Sequence, residues 1–225
     1  MTTRTPGYPI LLAGLAVLAV VLFGASLAIG YAPLGLAGAI REAVAGERTV
    51  DALVLVQLRL PRALLGLLVG FSLGLAGAVM QGFLRNPLAE PGIIGVSGAA
   101  ALGAVLVFYS GLAATSSILL PAGGITAALA VGALLFAVAG RGLSTTTLIL
   151  AGVAINSLAG ALISLALNLS PNPYAATEIM FWLMGSLADR SLAHVGLVLV
   201  PMAAGWALML STGRVLDALT LGEDT

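Results

Sequence analysis

The chain has 225 residues, 60% hydrophobic and only 8% charged, with a mean hydropathy of +1.14. Soluble domains carry about 25% charged residues and need them to cover their surface. So small a supply excludes a soluble globule and fits a chain whose outer face meets lipid. Formal net charge is zero, which removes any bulk attraction to nucleic acid.

The chain has no cysteine, so disulfides, thiolate catalysis and thiolate metal sites are excluded. The one histidine, His194, cannot build a histidine-based metal cluster and reads as a residue at a span end. No cofactor and no metal site are expected.

Charges cluster at Arg4, at 41–62, at 85–90, at Arg141, at 178–190 and from Arg214 onward. The gaps between them are long enough for helices of about 20 apolar residues. In chain order they predict spans near 9–30, 63–84, 92–109, 118–139, 145–167 and 192–212. The uncharged stretch 91–140 is too long for one crossing, and the run Tyr109-Ser110-Gly111 with Thr115-Ser116-Ser117 divides it.

The first segment is read as a retained span, with a cleaved signal peptide ending near Ser26-Leu27-Ala28 as its alternative. The connector 31–60 is polar but has an apolar background at 34–45, which fits a short interfacial helix. After the fifth span, Ser170-Pro171-Asn172-Pro173 cannot continue a helix. Six spans leave both ends on one side. With the N-terminus inside, four arginines lie inside and five outside, so the positive-inside rule does not decide orientation.

Small residues recur every fourth position in the second span, at Gly66, Gly70, Gly74, Ala78 and Gly82. The fifth repeats the pattern at Gly152, Asn156, Gly160 and Ser164. Such faces let helix backbones approach, and Asn156 can bond across, though the same face could line a passage.

Arg59-Leu60-Pro61-Arg62 opens the second span, with Pro61 suited to a first helical turn. Cations there oppose the helix dipole, so the two arginines point either to a partner carboxylate or to anchoring at the membrane surface. The connector Arg85-Asn86-Pro87-Leu88-Ala89-Glu90-Pro91-Gly92 is stiffened by its prolines. No catalytic constellation or phosphate-cradling loop is visible, so any ATP is handled by another chain.

The run RLPRALLGLLVGFSLGLAGAVMQGFLRNPLAEPGIIGVSGAAALGAVL (59–106) resembles the hallmark of the cobalamin and iron-siderophore importer permeases. These are the membrane subunits of binding-protein-dependent ABC importers. LSTTTLILAGVAI (143–155), EIMFWLMGSL (178–187) and LDALTLGED (216–224) are similar to later family segments, in order. The resemblance implies an all-α transmembrane bundle, in which residues 1–225 are a partial permease domain with six of ten spans.

It also implies an N-terminus in the cytoplasm of a bacterial plasma membrane. The partners it implies are a second permease copy, cytoplasmic ATP-binding subunits, an extracytoplasmic substrate-binding protein and membrane lipid. Carried over by position, Arg59 and Arg62 face the binding protein, and Asn86, Leu88, Thr145 and Thr146 close the passage. Segment 214–225 begins the coupling region, with Leu221, Gly222 and Glu223 against the ATPase. The cargo expected is an iron chelate, haem or cobalamin. Because the chain stops within the coupling segment, a non-transporting remnant is an alternative, as is an independent six-span channel or secondary transporter.

Overall fold

A computed structural model describes residues 7–31, 33–116, 118–139, 145–170 and 173–220. All regular elements among them are helical. Helix α1, Tyr8–Ala28, has a proline in its first turn and no buried residue. Its 21 residues span about 31 Å, enough to cross a hydrocarbon core.

Helix α2, Leu36–Ala45, lies in the connector where a short helix is expected. It ends on Gly46 in the left-handed region, φ +76°. Amides of Gly46 and Glu47 donate to carbonyls of Ala43 and Glu42, closing the terminus as a Schellman motif. Thr49 caps α3, Val50–Leu53, by accepting from the Ala52 amide, and its hydroxyl donates to the Glu42 carboxylate.

The second span departs from expectation. Arg59-Leu60-Pro61-Arg62 does not start a helix. A π-helical turn, Val54–Arg59, joins α3 to α4, Leu60–Leu84, making one apolar helix from Val50 to Leu84. Pro61 therefore sits inside it, and fully buried. A proline inside a helix lacks a donor and presses on the carbonyl one turn back. The wider π turn just before it supplies the room, with the Leu60 amide reaching back to the Leu55 carbonyl.

The third span, by contrast, is shorter than predicted. Pro91–Ile94 form a 3-10 turn, and Gly95, φ +78°, stops it; α5 then runs Val96–Tyr109. Its 14 residues reach only about 21 Å. Helices α6 (Leu119–Ala139), α7 (Thr145–Asn168), α8 (Pro173–Met184), α9 (Leu192–Ser211) and α10 (Gly213–Thr220) complete the order. Five helices among the described residues are long and apolar enough to cross a membrane, and α5 is a shorter apolar one. The chain is a multi-pass helical membrane protein.

Two compact units are formed, residues 1–72 with 187–208, and 73–186 with 209–225. In the first, Ala39, Ala52, Leu55, Ala63 and Leu65 are buried. There Trp206 packs edge-on against Phe71, centroids 4.9 Å apart, and its Nε1–H donates to Ser72 Oγ at 2.9 Å.

The second unit is centred on α5, where Ala99, Gly103, Ala104 and Val105 are buried. Helices α5 and α6 meet through glycines. A Cβ on Gly103 would strike the Gly123 carbonyl oxygen and the Ala127 methyl, and one on Gly123 would lie 2.5 Å from Val107 Cγ2. Tyr109 fastens the far end of α5 by donating to the Leu169 carbonyl at 2.8 Å.

Candidate functional site

The first candidate site is the arginine-bearing end of the first unit. The two arginines expected to share one outward face are treated differently. Arg62, in the first turn of α4, is exposed and has no hydrogen-bond or ion-pair partner among the described residues. Arg59 is 8% exposed.

The partners of Arg59 include the end of α1. Its Nη1 donates to the Leu27 carbonyl at 2.9 Å and the Ala28 carbonyl at 2.7 Å. The last carbonyls of any helix lack intrahelical partners, and the helix dipole makes that end attractive to a cation. Placed at the start of a helix, Arg59 would point to a partner carboxylate or to anchoring at the membrane surface. In the structure it ends the π turn, and its partners include the negative end of another helix.

Gly30 completes the arrangement: a Cβ there would lie 2.9 Å from Arg59 Cζ and Nη2. A cavity of about 650 Å³ adjoins this cluster, lined among others by Ser26, Tyr31, Leu58, Arg59, Arg62 and Asp189. Asp189 is held at φ +56° and is exposed.

The second candidate site is the connector between α4 and α5, in the second unit. Helix α4 ends in a Schellman motif whose left-handed residue is Arg85, φ +50°, where glycine is usual. The Asn86 amide donates to the Gln81 carbonyl, and the Arg85 amide to the Gly82 carbonyl. Asn86 then shapes the next turn, its Oδ1 accepting from the Leu88 amide at 2.9 Å. Ala89 is buried, whereas Leu88 is 83% exposed at the tip.

Helix α7 locks the end of this connector. Gly152 is buried, and a Cβ on it would collide with the Ile93 carbonyl oxygen and lie 2.6 Å from Ile94 Cα. One turn on, Asn156 Nδ2 donates to the Gly92 carbonyl at 2.8 Å, while its Oδ1 occupies the space a side chain on Gly98 would need.

Thr146, in the first turn of α7, is exposed, and Thr145 begins that helix. A Cβ on Gly66 would lie 3.8 Å from Leu187 Cδ1, whereas one on Gly70, Gly74 or Gly160 would meet nothing within 4 Å. Leu221, Gly222 and Glu223 lie outside the described residues.

Asn156→Leu is expected to leave the Gly92 carbonyl without this donor. Interhelical hydrogen bonds in membranes contribute about 0.6 kcal/mol on average and up to about 1.7. A fall of a few degrees in the melting temperature of the purified protein is the expected result. An unchanged melting curve would show that the bond contributes nothing net.

The arrangement of these helices has a counterpart in known proteins. Residues 17–225 match the FecCD transport family. The chain belongs to that family. It is 39% identical over 217 residues to the ferric enterobactin transport system permease protein FepD of Escherichia coli (strain K12), covering 94% of this chain and 64% of that protein.

It is 37% identical to the molybdate import system permease protein MolB of Haemophilus influenzae, covering 96% of this chain and 65% of that one. It is also 37% identical to the vitamin B12 import system permease protein BtuC of Vibrio vulnificus, covering 76% and 51%. A solved structure, described as an inward-facing conformation of a metal-chelate type ABC transporter, superimposes with a TM-score of 0.79 at 34% identity. It covers 96% of this chain and 65% of that one. The chain thus spans about half to two thirds of the length of these relatives.

Proposed function

We propose that the chain supplies the N-terminal part of the permease subunit of a binding-protein-dependent ABC importer in a bacterial plasma membrane. The observation that carries this is the structural match over 96% of the chain to a metal-chelate type ABC transporter. Its helices supply wall and connectors; ATP is hydrolysed by cytoplasmic partner subunits, and two permease copies enclose the passage.

The cargo is an iron chelate, haem or cobalamin. The names of FepD and BtuC support the iron chelate and the cobalamin, and MolB marks molybdate as the competing cargo.

Arg62 stands in the first turn of α4, and the 85–90 connector follows its last. A crossing by α4 sets them on opposite sides of the membrane. With a cytoplasmic N-terminus, Arg62 meets the carboxylates of an extracytoplasmic binding protein. Asn86, Leu88, Thr145 and Thr146 lie toward the cytoplasm and gate the passage there. The exposure of Leu88 and Thr146 supports that role. Leu221, Gly222 and Glu223 begin the contact with the ATPase.

The test is uptake into proteoliposomes holding the full-length permease, its ATPase and its binding protein. ATP-dependent accumulation of a ferric siderophore, haem or cobalamin is expected. Accumulation of molybdate alone would overturn the cargo, and no ATP-dependent accumulation of any of these compounds would overturn the function.

A further inference from the structure

We infer that Arg59 is a positioning residue rather than a docking residue: it clamps the C-terminus of α1 to the π turn before α4, and so fixes the wall of the cavity in which Arg62 is displayed. Four observations converge on this. Helix α1 buries none of its residues, so apolar packing gives its position little support within the chain. Its terminal carbonyls at Leu27 and Ala28 take two hydrogen bonds from one guanidinium nitrogen of a buried arginine. The guanidinium lies against Gly30 so closely that any side chain there would displace it.

The fourth observation is the π turn itself, which ends at Arg59. Each residue of an α-helix advances about 100° around the axis, so a one-residue widening re-aims every side chain beyond it relative to those before. The turn that accommodates Pro61 also sets the direction in which Arg59 leaves the helix. Arg62 follows it by three residues and remains exposed. The motif therefore divides its two charges: one is consumed inside the chain, and one stays available to a partner.

The first measurement is amide hydrogen exchange on the purified full chain in lipid nanodiscs, with no binding protein present. It does not depend on the importer reading. Arg59→Met keeps an unbranched apolar stem and removes the charge-assisted bonds. Protection of the last turn of α1, 25–29, is expected to fall about tenfold, which corresponds to about 1.4 kcal/mol. Protection within 63–72 of α4 should hold. Arg59→Lys, which keeps a cation with rotatable donors, should restore part of the loss. Gly30→Val should reproduce it with the arginine kept in the sequence, by displacing its guanidinium, and Arg62→Met should leave α1 unchanged.

The second measurement rests on the importer reading and reads binding-protein affinity against salt. Arg62→Met is expected to flatten the salt dependence. Arg59→Met should weaken binding while leaving that slope as it was, because the charge it removes never met the partner. If Arg59→Met leaves the α1 terminus fully protected, or flattens the salt slope as Arg62→Met does, the clamp assignment is overturned.

Discussion

Gly152→Val is expected to keep the second unit from reaching its packed state. The atoms that a side chain on Gly152 would meet are the Ile93 carbonyl oxygen and the backbone of Ile94, with Cα at 2.6 Å and the carbonyl carbon at 2.9 Å. None of these is the end of a flexible side chain that could rotate away. Relief requires moving the 3-10 turn Pro91–Ile94 away from α7.

That turn has little freedom. Gly95 closes it at φ +78°, and a side chain on Gly95 would itself lie 2.8 Å from the Gly152 carbonyl oxygen. Moving it also breaks the bond from Asn156 to Gly92. Overpacking typically costs about 1–3 kcal/mol, and a backbone-on-backbone collision belongs at or above the top of that range. Stabilities of native domains are only about 5–15 kcal/mol, so Gly152→Val should sharply reduce the yield of monodisperse protein, with Gly152→Ala intermediate.

Gly160→Ala is the control, since its Cβ would enter open space. There the gain in helix propensity over glycine, about 0.8–1 kcal/mol in soluble hosts, should leave stability equal or slightly raised. Equal yields and melting temperatures for Gly152→Val and Gly160→Ala would refute this account of the α7 contact.

That contrast also shows what a small-residue ladder contains. Gly152 and Gly160 occupy equivalent places in the same four-residue repeat, yet one is wedged against backbone and the other is open. Period alone says which residues share a face; it does not say which part of the face has a neighbour. The closest glycine contacts of α5 and α6 involve Gly103 and Gly123, outside both ladders singled out in the sequence. Their signal was weak, because glycines in an apolar run are common in membrane helices.

The spans themselves were legible because a bilayer punishes charge within about 20 residues of apolar chain. The starts of α6, α7 and α9 fall within a residue of the expected positions, each close after a polar run. Two starts were misread for backbone reasons. Gly95 delays α5, since a glycine in an apolar run gives no outward sign that it will adopt positive φ. Pro61 was taken as a helix start because proline is enriched there. The chain instead widens the preceding turn and continues, which requires knowing the hydrogen-bond pattern of Val54–Arg59. The environment of Arg59 depends on the same point, whether a helix begins or continues there.

Arg62→Glu is the substitution expected to have the largest effect on recognition without disturbing the fold. The side chain is exposed, its neighbours Pro61 and Ala63 carry the burial at this turn, and no described group depends on it for a hydrogen bond. Reversal removes an attraction to any carboxylate on the binding protein and adds a repulsion of similar size. Each 1.4 kcal/mol is tenfold in affinity, and paired charges at interfaces differ by a few kcal/mol on truncation, so a loss of about ten- to hundredfold at low salt is expected.

The effect should shrink as salt rises, because at 1 M the screening length falls to about 3 Å and an exposed charge acts only on groups in contact. Arg62→Lys keeps the charge but not the planar fork, and should lose affinity only mildly. The measurement is binding of the purified binding protein to the permease in nanodiscs across a salt series, with melting temperature as the check on folding. Wild-type affinity at low salt in a normally folded Arg62→Glu protein would remove this residue from the docking surface. If Arg59 is the clamp proposed above, no arginine of the motif would then remain to meet a partner.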